Sequence, residues 1–290
     1  EPWPTGYVSG HEHKYQPGHR RRMSEAIRAI ALGVGHGRFE LTGLARGPWQ
    51  KDAAHGGAPA GLLARAAENL GAEDDLRLGS ISLAFNGPVL LGEAAIRAEV
   101  VKPGRKQRVV SVAIEAGGRT MIEGRAVLLR RGDVELPDEV TVAGKRFPGP
   151  GEGRPVDRSK WADGDTDAFH RTANTVVAVE GGPDRIGTEG MVWIRLDCPL
   201  IESEEPSGAQ RAVAAADFGN GVAHPVGWGE YLFINCDLNV ALLRNPVGQW
   251  IGLESRTELD RNGSGLTTTR LHDEQGHFGT ASQILYVDQV

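Results

Sequence analysis

The sequence is poor in cysteine, in long apolar runs and in basic charge, and each shortage excludes a class of protein. The two cysteines among 290 residues, Cys198 and Cys236, cannot form a disulfide framework and lack the spacing of metal ligands. No apolar run approaches the roughly 20 residues of a membrane-spanning helix. A net charge of −6 argues against a nucleic-acid partner. The composition therefore predicts a cytoplasmic globular protein without a membrane or nucleic-acid partner.

Several catalytic motifs are also missing. The chain contains no phosphate-binding GxxxxGK[ST] loop, no dinucleotide-binding GxGxxG after a strand, no GxSxG nucleophile elbow and no HExxH zinc motif. These absences argue against four large classes of enzyme, and the histidines show no pairing at metal-ligand spacing. We therefore expect neither a metal nor a cofactor.

What the chain does contain is one pattern written twice. Pro88 and Pro246 lie 158 positions apart, and so do Gly118 and Gly276. The apolar residues between these positions recur at the same offset. A two-copy repeat of this length predicts a duplicated domain, because a solenoid needs at least three shorter units.

The repeat and the composition together predict the domain boundaries. We predict a flexible arm over residues 1–22, a first domain over 23–132, a linker rich in proline and glycine over 133–164, and a second domain over 165–290. Earlier in the repeat the offset is only 151, between Gly57 and Gly208. The difference predicts a short insertion in the second copy, within residues 219–230.

Each half predicts a strand, a helix and then four consecutive strands. The predicted helices cover 57–70 and 207–218, and the predicted strands cover 39–44, 78–86, 92–101, 107–116 and 120–130, then 191–196, 231–243, 249–259, 265–273 and 277–287. Antiparallel strands after a helix, without βαβ alternation, predict an α+β fold in which a curved sheet wraps around one helix, twice. In the strand over 231–243 we predict one apolar face, formed by Leu232, Ile234, Cys236, Leu238 and Val240.

Three polar residues of the second half are candidates for chemistry. Asp217 places a carboxylate in a helix of small apolar residues, where a buried charge needs partners. Gln283 lies in the last strand, and its first-half counterpart at offset 158 is Arg125. Asn235 lies on the polar side of the first long strand. Each is also compatible with an ordinary solvent-exposed position.

A fourth candidate precedes the first helix. His55-Gly56-Gly57 would expose backbone N–H groups at a helix start, where the helix dipole favours negative charge. Such a site can hold an oxyanion or a phosphate. The alternative is a tight loop that only leads into the helix.

A resemblance to a known family rests on three segments: Ala216-Asp217-Phe218, the stretch from Asp237 through Arg244 and Pro246 to Trp250, and Ser282-Gln283. Together they resemble the acyl-CoA thioesterase II family over about residues 25–290. Members of that family are double hotdogs, with two hotdog domains in one chain. The family uses an Asp, a Thr or Ser, and a Gln to hold and activate a water. Asp217 and Gln283 match this set, whereas Asn235 stands at the hydroxyl position and departs from it.

The resemblance implies hydrolysis of an acyl-CoA thioester. Asp217 would be the general base or water anchor, Gln283 would orient the water, and backbone N–H groups near Gly57 and His55 would stabilise the developing oxyanion. Arg105 and Lys106 would meet the phosphates of CoA, although such residues more often belong to a solvated hairpin. A homodimer of double hotdogs is the implied assembly.

Two other functions stay open at this point. Asn235 makes a non-catalytic double hotdog that binds an acyl group or acyl-CoA credible. A hotdog hydratase acting on enoyl-CoA is a third possibility, but it needs an Asp/His pair in a local motif near a helix start, and none is evident around Gly57 or Gly208.

Overall fold

A computed structural model describes residues 29–35, 37–137, 147–157 and 167–290. The predicted arm over 1–22 lies outside the described residues. The elements in chain order are β1 Ala31–Gly35, β2 Arg38–Leu41, α1 Gly57–Asn69, β3 Leu76–Phe85, β4 Gly92–Lys102, β5 Gln107–Ala116, β6 Arg119–Arg130, β7 Arg154–Pro155, β8 Asn174–Glu180, β9 Glu189–Leu196, α2 Gly208–Ala216, α3 Gly219–Val222, β10 Tyr231–Asn235, β11 Asp237–Leu242, β12 Trp250–Asp260, β13 Ser264–Asp273 and β14 Gly276–Gln289. Strands β1, β7 and β8 have no counterpart among the predicted elements.

One large antiparallel sheet carries the fold. Its strand order is β1-β2-β4-β5-β6-β3-β11-β14-β13-β12-β9-β8-β7, and β10 also pairs with β14. The order β2-β4-β5-β6-β3 in the first half is repeated as β9-β12-β13-β14-β11 in the second. The two halves join where β3 pairs with β11, from Ala84 opposite Asp237 to Ser80 opposite Ala241.

The helices α1 and α2 pack against each other on the inner side of this sheet. Alanine and leucine, both strong helix formers, fill α1, and Leu62, Leu63 and Ala67 are buried. The crossing is close because it is made of small residues. A Cβ on Gly57 would lie 2.4 Å from the carbonyl oxygen of Ala214, so only glycine fits there.

The offset between the two halves is 157 in the strands, and the predicted 158 is wrong by one residue. Val110 pairs with Ala126, and Thr267 pairs with Gln283 at the same place in the second half. The structural counterpart of Gln283 is therefore the buried Ala126, not the exposed Arg125. Because side chains alternate across a strand, the slip of one residue had matched the inward-facing Gln283 with an outward-facing residue of the first half.

The predicted single strand over 231–243 is also wrong, because it breaks at Cys236. Asn235 pairs with Leu285 and Asn239 pairs with Ser282, so one extra residue lies between β10 and β11. Such a bulge reverses the alternation of side chains. As a result Ile234 and Cys236 are exposed, whereas Phe233 points inward with Leu238.

Part of the predicted linker packs against the second half. Phe147 stacks on His272 with ring centres 4.2 Å apart, and the indole N–H of Trp193 donates to the carbonyl oxygen of Pro148 at 2.6 Å. The short strand β7 then pairs with β8 at the sheet edge. Within the described ranges, every helix is too short or too polar to cross a bilayer.

Candidate functional site

Asp217 lies at the junction of α2 and α3. The first of these helices ends at Ala216, and Asp217 is its C-terminal cap residue. The short α3 then starts at Gly219, where a Cβ would lie 2.9 Å from the side-chain oxygen of Gln283. Glycine thus lets the helix break approach the sheet. The Asp217 side chain is 3% exposed, so its carboxylate depends on protein partners.

The first partner of Asp217 is His55 from the first half. The ring nitrogen Nδ1 of His55 lies 2.9 Å from Oδ2 of Asp217. His55 lies two residues before the start of α1, and its ring stacks on Phe218 at 4.5 Å between ring centres. A Cβ on Gly56 would lie 2.8 Å from the same carboxylate oxygen. The close approach of Asp217 to the start of α1 therefore requires glycine after His55.

The proton on the His55 ring is assigned to Nδ1. That atom is 2.9 Å from the carboxylate of Asp217 and 3.2 Å from the backbone nitrogen of Gly57, and it cannot donate to the first while accepting from the second. A carboxylate oxygen only accepts, so Nδ1 must donate to it. The N–H of Gly57, at the first position of α1, points at the same ring nitrogen and is not committed to an acceptor within the helix.

Asn235 and Gln283 complete the surroundings of Asp217. The side-chain amide of Asn235 donates to Oδ1 of Asp217 in a short hydrogen bond. The Gln283 amide nitrogen lies 3.3 Å from the carbonyl oxygen of Asp217 and 3.4 Å from Oδ1. The bulge at Cys236 turns Asn235 inward, and the pairing with Thr267 places Gln283 on the helix-facing side of β14.

Asn220 is a residue that the sequence analysis missed. Its backbone N–H donates to Oε1 of Gln283 at 3.2 Å, and its side chain donates to the carbonyl oxygen of Phe233 at 3.4 Å. The first bond leaves the Gln283 NH₂ group directed at Asp217. The signal in the sequence is the Gly219-Asn220-Gly221 break that follows the predicted helix over 207–218.

Asp217, Asn235 and Gln283 have no polar counterparts in the first half. The first-half counterparts of Asp217, Asn235 and Gln283 are Ala66, Leu78 and Ala126. The same contrast is seen in two buried hydroxyl pairs beneath α3, Ser255 with Thr269 at 2.9 Å and Thr257 with Thr267 at 2.7 Å. Their first-half counterparts are the apolar pairs Ala98 with Val112 and Val100 with Val110. A comparison of the halves at the correct offset would have revealed this layer.

Arg105 and Lys106 are not brought to Asp217. They lie in the hairpin between β4 and β5, and the next basic residue, Arg108, binds Asp74 and the carbonyl oxygen of Leu70. Those acceptors follow the C-terminal end of α1, whereas Gly57 is its first residue. At 1.5 Å per residue the two ends are roughly 20 Å apart.

Arg244 and Pro246 have structural positions. The guanidinium of Arg244 binds the carboxylate of Asp273, which also accepts from the backbone N–H groups of Val247 and Gln275. Burial alone would raise the pKa of Asp273, but these hydrogen bonds outweigh it and hold the pKa below its usual value. The carbonyl oxygen of Pro246 would lie 2.5 Å from a Cβ on Gly208.

One cavity lies away from Asp217. Its volume is about 660 Å³, and it covers the face of the sheet around Ser80, Asn239, Arg256, Arg270 and Ser282. It includes neither His55 nor Asp217. We place the candidate site at Asp217 and not in this cavity, because the cavity is lined by small hydroxyl-bearing and charged side chains on an open sheet surface. Asp217, in contrast, is a buried carboxylate with polar partners. Among the described residues, no group of three His, Cys, Asp or Glu side chains is arranged to hold a metal.

Comparison with solved structures identifies the fold. A candidate thioesterase II from Thermobifida fusca is 21% identical over 89% of this chain and 95% of its own, with a TM-score of 0.66. A candidate thioesterase from Novosphingobium aromaticivorans is 18% identical over 89% and 98%, with a TM-score of 0.67. A protein from Alicyclobacillus acidocaldarius, described as having a hot dog fold, is 15% identical over 90% and 97%, with a TM-score of 0.69. Together with the antiparallel sheet, these matches identify a hotdog fold.

Sequence comparison gives the family. A search of curated proteins finds no significant match. A family model of the acyl-CoA thioesterase C-terminal domain matches residues 141–287, and one of the acyl-CoA thioesterase N-terminal domain matches residues 45–129. Because the first of these covers half of the chain and the second lies in the other half, the chain belongs to the acyl-CoA thioesterase family and is a thioester hydrolase.

Proposed function

We propose that the protein hydrolyses acyl-CoA thioesters to a free acid and CoA, with a water activated by Asp217. The observation that carries this proposal is the convergence on one buried carboxylate of side chains from three separate places. His55 precedes α1, Asn235 ends β10 and Gln283 lies in β14, and the nitrogen of each faces Asp217.

The three donors leave one acceptor position of Asp217 unfilled. An ionised carboxylate has about four acceptor positions. His55 faces one oxygen of Asp217, whereas Asn235 and Gln283 face the other. One position therefore stays available to a water O–H. The side-chain carbonyl of Asn235 can accept the second O–H of the same water and fix its orientation.

The proposed reaction needs no additional reactant. Asp217 takes a proton from the water as its oxygen attacks the thioester carbon. The carbonyl oxygen becomes an oxyanion, which accepts from the N–H of Gly57 at the positive end of α1. The intermediate then breaks its carbon–sulfur bond, and the proton on Asp217 passes to the CoA thiolate. The products are one carboxylic acid and one CoA thiol, and the carboxylate of Asp217 is restored.

Asp217→Asn is the direct test. We expect loss of a general base to lower kcat by about 10²–10⁴-fold, measured as free-thiol release from a panel of acyl-CoAs. Asp237→Asn is the matched control, because Asp237 lies two residues after Asn235 but binds only the backbone N–H of Ile284 and the side chain of Asn239. Equal activity in wild type and Asp217→Asn would refute the assignment.

Binding without turnover is the second candidate, and it rests on Asn235. The family has a hydroxyl residue at this position, and an amide differs in length. If wild type releases no thiol at any acyl chain length, while acyl-CoA still raises its melting temperature, this second candidate replaces the first.

The architecture we propose is a double hotdog, with units over about 23–132 and 165–290 joined by 133–164. The repeated strand order and the two family models support this division. A homodimer of this double unit is the proposed assembly, and light scattering after size-exclusion chromatography measures it. A mass of about one chain would contradict the dimer and leave the hydrolase proposal untouched.

A further inference from the structure

Three aromatic rings form an apolar surface beside the candidate site. Phe233 lies 4.6 Å from Trp228 and 5.3 Å from Trp49, measured between ring centres, and the two tryptophans are 5.1 Å apart. These distances are those of packed aromatic pairs. We call Trp49, Trp228 and Phe233 the aromatic wall.

The aromatic wall begins next to the residues around Asp217. Phe233 and Asn235 point to the same side of β10, and side chains two residues apart in a strand are separated by roughly 7 Å. Asn220 connects the two places, because its side chain donates to the carbonyl oxygen of Phe233 and its backbone N–H donates to Gln283. A substrate with its thioester at Asp217 would therefore reach the wall within a few carbon atoms.

The aromatic wall is partly exposed to solvent, whereas the polar site around Asp217 is buried. Trp49 is 37% exposed and Trp228 is 39% exposed, whereas Asp217 is 4% exposed. Ligand sites commonly combine an apolar, aromatic lining with a few fixed polar groups. Burial lowers the pKa of the adjacent His224, so this ring, 5.5 Å from Trp228, is neutral near pH 7. It adds no charge to the wall.

Each half of the chain supplies part of the aromatic wall. Trp49 lies in the loop that leads to His55, and this loop is closed by hydrogen bonds from Gly47 to Ala53 and from His55 to Ala45. Trp228 lies in the segment between α3 and β10. The offset between the halves is 151 at the helix starts and 157 in the strands, so this segment contains a six-residue insertion that the first half lacks. The segment that carries Trp228 therefore has no counterpart in the first half, and the wall lies beside the polar residues of the second half.

We propose that the aromatic wall binds the acyl group of the thioester, so that Trp49 and Trp228 determine which acyl chains are hydrolysed. This inference rests on the proposed function. The CoA arm carries phosphates and amides, which favour cations and hydrogen-bonding partners. An unbranched alkyl chain or an aryl ring instead gains by covering exposed indole faces. The ligand class is thus the apolar acyl group.

The dependence of kcat/KM on chain length tests the proposal. Each buried methylene contributes about 0.8 kcal/mol, which is roughly a fourfold gain in kcat/KM. For saturated acyl-CoAs from two to twelve carbons we expect gains approaching this value over the methylenes that contact the wall. In Trp49→Ala and Trp228→Ala we expect about twofold or less per methylene, with acetyl-CoA nearly unchanged.

Three further variants complete the design. Trp250→Ala is the matched control, because Trp250 starts β12 beneath the guanidinium of Arg195, 4.9 Å from its ring, and lies outside the wall. Trp49→Phe and Trp228→Phe should keep most of the chain-length dependence. If an alanine variant does not fold by circular dichroism, the leucine variant at the same position is measured in its place.

The possible failures are distinguishable. An unchanged chain-length dependence in folded Trp49 and Trp228 variants would overturn the inference and leave hydrolysis intact. An equal loss for every acyl chain, acetyl included, would mean that the aromatic wall binds the CoA arm, which also overturns it. No thiol release by wild type would defeat the proposed function instead. Tryptophan fluorescence would then measure the binding of acyl-CoAs of the same chain lengths to wild type and to Trp49→Phe, and would test whether the aromatic wall binds the acyl group.

Discussion

Asp217 owes its surroundings to residues that are distant in sequence. His55 lies 162 positions before it and Gln283 lies 66 positions after it. Neither has a charged neighbour in sequence that would mark it, and each reaches Asp217 because a backbone feature directs it there. For His55 the feature is the pair of glycines that opens α1, and for Gln283 it is the register of β13 with β14. Substitutions that leave the backbone unchanged therefore separate chemistry from folding at this site.

The departure at Asn235 gives a prediction at this scale. Its amide N–H donates to Asp217, which is a task that a hydroxyl can also perform. We therefore expect Asn235→Thr to keep kcat within about threefold of wild type. Asn235→Leu has a similar size and no donor. Because hydrogen bonds to charged groups contribute about 1.5–3 kcal/mol, we expect Asn235→Leu to lower kcat by roughly 10–100-fold.

Steady-state thiol release from one acyl-CoA measures both variants. A large rate gain in Asn235→Thr would mean that the natural asparagine has weakened the site. Full activity in Asn235→Leu would show that this side chain does not take part.

The crossing of α1 and α2 is the element on which the geometry of the site depends. In Gly57→Ala the added methyl would lie 2.4 Å from a backbone carbonyl, which cannot move without moving α2. Alanine is about 1 kcal/mol better than glycine within a helix, but overpacking costs about 1–3 kcal/mol, so we expect net destabilisation. We also expect loss of activity, because His55 and Asp217 would move apart.

Thermal unfolding and thiol release measure the effect of Gly57→Ala. Gly132→Ala is the control, since a Cβ there would meet no atom within 4 Å. A Gly57→Ala variant as stable and active as wild type would show that the helix crossing tolerates separation.

The turn between β11 and β12 depends on the pair formed by Arg244 and Asp273. The carboxylate is fully buried and the guanidinium is 32% exposed. Breaking a buried pair by removing one partner costs 3–5 kcal/mol, and because Arg244 is partly exposed and two backbone donors remain, we expect about 3 kcal/mol for Arg244→Met. Arg256→Met removes only exposed ion pairs with Glu189 and Glu258 and should cost about 1 kcal/mol or less.

This cost should depend on pH. The pKa of Asp273 is lowered in the folded protein, so its stabilising effect is present above its ordinary pKa of about 4 and is lost as pH falls through the lowered value. We therefore expect the difference in unfolding free energy between wild type and Arg244→Met to be largest at pH 7 and smaller at pH 4. Urea unfolding at both values measures it, and a difference that grows towards pH 4 would contradict the assignment.

Sequence reasoning located most elements but not their registers. Alternating apolar residues and glycine turns marked β3 to β6 and β12 to β14 well, because these signals are local. The bulge at Cys236 and the true counterpart of Gln283 depend on hydrogen bonds with a partner strand, which a single strand does not encode. The family resemblance indicated Asp217, Asn235 and Gln283. The contact of His55 with Asp217 followed only from the helix crossing.

At the scale of the whole molecule, the two halves are joined through both their strands and their helices. Strand β3 pairs with β11, and α1 packs against α2, so each half has a strand edge and a helix surface that the other half covers. We expect one cooperative unfolding transition, with equal calorimetric and van't Hoff enthalpies. Differential scanning calorimetry measures both, and two resolved transitions would show that the halves unfold separately.

Because Asp217, Asn235 and Gln283 all lie in one half, we expect one reaction site per chain. A chain built from two similar units could carry two such sites, but in the first half the equivalent residues are Ala66, Leu78 and Ala126. A tight-binding thioester analogue should therefore titrate one equivalent per polypeptide, and the number of reaction centres in any oligomer should equal its number of chains.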